Sequence, residues 1–109
     1  MNHEDQAEKA LNYLASTDEE HSNAKALLSA LQEQRKTVKA MVYLQHIERG
    51  KGQGVSEQEA YNSDEYREHI VKIQNAEADY QLLQNKRKRA ELTIELWRTF
   101  SANQRRGNV

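Results

Sequence analysis

An all-α fold is predicted for this chain: a long antiparallel helical hairpin with a short N-terminal helix, coiled-coil-like, and dimerising into a four-helix bundle. Three observations lead there. The 109 residues contain no proline, and three of the four glycines are gathered at Gly50, Gly52 and Gly54. On both sides of that cluster run long tracts rich in Ala, Leu, Glu, Gln, Lys and Arg, the residues that lose least on entering a helix. Seam positions recur at alternating three- and four-residue intervals, most clearly at Ile73, Ala76, Tyr80, Leu83, Arg87, Ala90, Ile94 and Trp97. That alternation is the heptad pattern of a coiled coil.

Composition agrees. Only 37% of the residues are apolar and 30% are charged, with a mean hydropathy of −1.04. So small an apolar share cannot fill a thick globular core, but it suffices for narrow stripes on long helices. The length predicts a single helical domain. With no cysteine there is neither a disulfide framework nor thiolate chemistry, which fits a reducing compartment. The opening "MNHEDQAEKAL" lacks the apolar stretch of a signal peptide, and no segment approaches the roughly 20 apolar residues of a membrane span. A cytoplasmic location without membrane contact is expected, the host cytoplasm if the gene is viral.

The first helix is predicted at about 4–15, with Ala7, Ala10, Leu11 and Leu14 on one face. "STDEE" at 16–20 then reads as a new helix start, Ser16 or Thr17 capping free amides and the acids facing the positive end of the dipole. The long helix that comes next, about 18–49, carries Ala24, Leu27, Leu31, Val38 and Met41 on its stripe, widened by Leu28 and Val42. Gly50 supplies its left-handed C-cap. "GKGQG" opens a turn at 50–55; its spacing matches neither the P-loop nor the dinucleotide fingerprint. "SEQE" at 56–59 reads as a capping box, with Ser56 the cap and Glu59 reaching back. A short helix at 57–62 leads into the last one, about 64–104, capped by Ser63 and stopping before Gly107. Two long helices joined by so short a turn pack antiparallel. That places Glu19 and Glu20 near Arg98, Arg105 and Arg106. One hairpin leaves the flanks of both stripes wet, and this is why a homodimer is expected.

The charge is segregated. Residues 1–23 hold six acids against one lysine, and residues 86–109 hold seven bases against two acids. The run Lys86, Arg87, Lys88 and Arg89 is the candidate contact for nucleic acid or another partner, joined by Lys36 and Lys39 across the hairpin. Four consecutive residues span more than one helical turn, so they form a collar and not a reading surface. Such a collar suits phosphates without sequence preference. Arg87 falls on the seam itself, where either its long stem packs and its charge reaches the edge, or it sets the register by pairing with a Glu or Gln on the facing helix.

Catalytic signatures are missing. The histidines, His3, His21, His46 and His69, form no HExxH or Cys/His cluster, and Glu65 with His69 makes two ligands, which is not a metal site. No catalytic residue, cofactor or metal is predicted. Tyr61, Glu65 and Tyr66, at the junction before the last helix, are a second candidate recognition feature, although aromatics that close the open end of a hairpin are the commoner explanation of the tyrosines.

Two segments, "EQEAYNSDEYREHI" (57–70) and "AELTIELWRTFSANQR" (90–105), with "QRKTVKAM" (34–41), resemble a group of small helical proteins encoded by tailed bacteriophages, many of undefined function. The matching positions are Tyr61, Glu65, Tyr66, Trp97, Arg98 and Arg105. The resemblance implies a phage origin and genes for DNA recombination and single-strand annealing nearby. The expected function is therefore that of a non-enzymatic phage accessory protein, acting by binding in DNA recombination or replication. Two other readings stand beside it: an inhibitor or adaptor directed at a host nuclease or defence complex through the acidic N-terminal segment, and a structural or assembly protein.

Overall fold

A computed structural model describes residues 2–107. Its helices are α1 (His3–Glu48), α2 (Gln53–Tyr61) and α3 (Asp64–Gly107), and among the described residues there is no strand. The chain divides into two compact units: a terminal unit of Met1–Asn23 with Gln81–Val109, and a central unit of Ala24–Tyr80.

The separate N-terminal helix expected at 4–15 does not exist, because α1 runs unbroken for 46 residues. The "STDEE" signal fails for a local reason. Ser16 Oγ and Thr17 Oγ1 donate back to the Tyr13 carbonyl at 3.1 and 2.7 Å. This is the use Ser and Thr hydroxyls find inside a helix, and no glycine or proline is at hand to interrupt the turn. The real N-cap is Asn2, whose Oδ1 accepts from the Asp5 amide at 2.8 Å. At the other end Gly50 adopts φ +83°. The Gly50 amide bonds Ile47 O and the Lys51 amide bonds His46 O, a Schellman closure at the glycine where the sequence places it.

The capping box is also absent. α2 begins at Gln53 with Gly52 as its N-cap and no side-chain cap, so the turn is shorter than 50–55. Ser56 lies inside α2, its amide bonded to Gly52 O. It is 0% exposed, as is Ala60 one turn later. Small residues four apart let a helix approach closely, and that packing overrides the cap preference of Ser56. Glu59 turns away to Lys51 and His46. The start of α3 is as expected: Ser63 Oγ accepts from the Tyr66 amide and donates to Ala60 O. The helix continues through Gly107 instead of stopping before it.

In the terminal unit α1 and α3 run antiparallel. His3 stacks on Phe100 at 4.5 Å, while Leu14 to Asp18 meet Arg87. Ala10, Ala90 and Ile94 form the core there, with Tyr13 and Leu14 packed against it. In the central unit Val42, Ala60, His69, Ile73 and Ala76 are buried, and His69 Nε2 lies 2.6 Å from Leu31 O. The α3 seam from Ile73 to Trp97 is the one read from the heptads: Ile73, Ala76, Leu83, Ala90 and Ile94 are buried, and Tyr80, Arg87 and Trp97 are half-buried.

The α1 stripe is shifted from expectation. Leu27 and Met41 are 54% and 58% exposed, whereas Val42 is 4% exposed and Leu28, Leu31 and Val38 are half-buried. The cause is the continuity of α1. Three-four spacing carried unbroken from Ala7 through Ala10, Leu14, Thr17, His21 and Ala24 arrives at Leu28, Leu31, Val38 and Val42, with exposed Arg35 between. Restarting the helix at residue 18 loses that phase.

Candidate functional site

The basic run does not act as one collar. Arg87 points into the seam of the terminal unit, its side chain 15% exposed. Its Nη1 donates to Leu14 O at 2.9 Å and to Thr17 Oγ1 at 2.7 Å, and its Nη2 to Asp18 Oδ1 at 2.6 Å. Thr17 is therefore a relay, accepting from Arg87 while donating to the Tyr13 carbonyl. A guanidinium suits this place because its planar fork serves three acceptors at once, which an ammonium cannot do in that geometry. The charge assigned to a partner instead joins α1 to α3.

Lys86, Lys88 and Arg89 are exposed. Lys88 reaches Glu91 at 3.6 Å in an exposed i,i+3 pair, which is weakly held. Lys86 and Arg89 make no ion pair among the described residues. The acids at 18–20 also fall differently from expectation: Asp18 serves Arg87, and Arg98 meets Glu95 on its own helix at 3.8 Å. The physical reason is again that α1 begins at His3, so the acids stand well inside the helix and not at its start.

Lys36 and Lys39 belong to the central unit, and Lys39 has its partners there. Its Nζ donates to Tyr61 Oη at 2.6 Å, lies 3.8 Å from that ring's centroid, and is 3.5 Å from Glu57. The hydrogen bond to Tyr61, aided by Glu57, raises the Lys39 ammonium above the ordinary lysine value. Tyr61 meets Tyr66 edge to face at 5.5 Å. The tyrosine junction is thus brought together, with Lys39 added and Glu65 apart from it. Glu65 instead lines two open grooves of the central unit, one of about 300 Å³ floored by Val38, Met41 and Val42, the other beside His46 and Glu59.

Glu59, between Lys51 and His46, has its carboxyl held below the ordinary value, first by the Lys51 hydrogen bond. His46 Nδ1 lies 2.9 Å from Glu59 Oε2 without hydrogen-bonding alignment. Among the described residues no three His, Asp or Glu side chains are grouped to hold a metal ion, and no helix is long and apolar enough to cross a membrane. Leu14, Thr17 and Asp18 are the residues that sequence reasoning missed. The available signal was a seam arginine that needed acceptors, and correct phasing of α1 would have placed Thr17 on that seam.

No known family, curated protein or solved structure matches the chain.

Proposed function

We propose that the protein acts by association and not by catalysis, and that its working form is a homodimer in which two hairpins build a four-helix bundle. Surface area is the observation behind this reading. A compact monomer of 12.7 kDa exposes roughly 6,200 Å². This chain exposes 8237 Å², an excess of about 2,000 Å². A standard interface needs about 800 Å² from each partner, so a second copy can be accommodated with area to spare. Leu11, Leu27, Met41, Leu92, Leu96 and Phe100 are among the large apolar side chains left exposed, while much of the buried seam is alanine. Light scattering coupled to size exclusion tests the reading. A dimer mass at micromolar concentration is the expected result, and a monomer mass throughout would overturn it.

Lys86, Lys88 and Arg89 support a second role, contact with a polyanion. All three are exposed on α3 while Arg87 is engaged inward. The phage resemblance favours nucleic acid, and with it an accessory part in phage DNA metabolism. Fluorescence anisotropy with single- and double-stranded DNA at about 50 and about 200 mM salt is the test. Binding that weakens with salt and with Lys86→Glu/Lys88→Glu is expected. No binding at the lower salt would remove the role.

A further inference from the structure

The central unit carries a basic surface of its own, and this one includes an aromatic ring. Lys36, Lys39, Ala40 and Tyr43 of α1 and Glu57 of α2 line an open groove of about 510 Å³. Along α1, Lys25, Gln32, Lys36 and Tyr43 follow one another at seven, four and seven residues, separations that return to one line of the helix over about 27 Å. Lys25, Gln32 and Lys36 are exposed and Tyr43 is half-buried. Neither Lys25 nor Lys36 makes an ion pair among the described residues. Lys39 differs from them. Its Nζ donates to Tyr61 Oη at 2.6 Å and lies 3.5 Å from Glu57, so its ammonium is set at the groove before any ligand arrives. A cation already held in place loses little freedom on meeting a phosphate. Tyr43 supplies what a bare basic patch lacks, a ring on which a planar base can stack. A duplex keeps its bases paired and stacked inside and offers this surface only phosphates, whereas a single strand can use both the lysines and the ring.

We propose that this face of the central unit binds single-stranded nucleic acid, with phosphates along Lys25, Lys36 and Lys39 and one base stacked on Tyr43. This goes beyond the polyanion contact of Lys86, Lys88 and Arg89, which needs no bases and lies in the terminal unit. Glu57 is the one carboxylate that lines the groove, and it repels a phosphate there. Tyr61 holds Lys39 without its help, so removing the Glu57 charge strengthens the site instead of dismantling it.

Fluorescence anisotropy with an oligothymidylate and with an abasic strand of equal length, at about 50 mM salt, separates stacking from charge. The strand with bases should bind at least about fivefold tighter. Tyr43→Leu should abolish that preference and Tyr43→Phe should keep it. Lys25→Glu/Lys36→Glu should weaken both strands, Glu57→Gln should tighten both, and Lys86→Glu/Lys88→Glu should leave the preference unchanged. Photo-crosslinking of a 5-iodouracil strand to the unmutated chain reads the base contact without relying on any variant, and its adduct is expected on Tyr43. Equal affinity for the two strands, a preference that survives Tyr43→Leu, or an adduct confined to the terminal unit overturns the site. Equal affinities that fall with Lys86→Glu/Lys88→Glu overturn it and leave the terminal polyanion contact standing. Binding of neither strand overturns both.

Discussion

Arg87 shows how one side chain changes the reading of a motif. In the string Lys–Arg–Lys–Arg it looks like a quarter of a phosphate handle, yet in the structure it serves Leu14 O, Thr17 Oγ1 and Asp18 Oδ1. Arg87→Ala is expected to cost about 2 kcal/mol, because charge-assisted hydrogen bonds are lost at a largely buried position. Arg87→Met, which keeps the stem, should cost less, and neither should change DNA affinity. Thermal denaturation and anisotropy on the same variants check both statements. Ser56 gives the opposite sign. Its Oγ is buried without a partner, so Ser56→Ala should raise stability by about 1 kcal/mol in urea titration. A loss of stability there would mean that the hydroxyl has a role the packing does not reveal. Glu59 sets an acid limit. Its carboxyl is depressed by Lys51, so the stabilisation it brings is present above the ordinary value of 4.5 and is lost as pH falls through the lower folded value. NMR titration should find Glu59 below 4.5, returning towards it in Lys51→Met.

Helices succeed or fail as predictions according to how local their signals are. Gly50, Ser63 and the α3 seam were legible because a C-cap, an N-cap and a heptad are each decided within a few residues of one another. Ser16–Thr17 misled because a hydroxyl before acids has two outlets, a cap or a back-bond within a continuing helix, and Ser56 misled because close packing buries it with its Oγ in neither role. The cost of that one ambiguity was the phase of α1, and with it the interchange of Met41 and Val42. Val42→Ala should therefore cost about 1–2 kcal/mol, and Met41→Ala only about 0.5 kcal/mol or less in a monomer, where it touches little. The same Met41 change should weaken the dimer, so comparing its effect at high and low protein concentration tests fold and association together. Gly50→Ala should cost about 1 kcal/mol or more, since φ +83° is unfavourable for any residue with a Cβ. An unchanged unfolding midpoint would mean that the loop relaxes to another turn.

For the chain as a whole, the expected signature of association is a melting temperature that rises with protein concentration. A temperature independent of concentration over about a hundredfold range would speak for a self-sufficient hairpin. The helical class, the antiparallel hairpin and the α3 seam were all readable from the string of residues, because helix propensity, capping and three-four spacing act between near neighbours. Whether α1 was one helix, which of two adjacent rows it buried, and which acceptors met the seam arginine Arg87 were decided only in the folded chain. Contacts such as Thr17 with Arg87, 70 positions apart, and Leu31 with His69, 38 apart, enter those choices, and such energies have no trace in local pattern. The basic run therefore kept its charge but lost its unity: three side chains are open to a partner, and the fourth holds the two helices together.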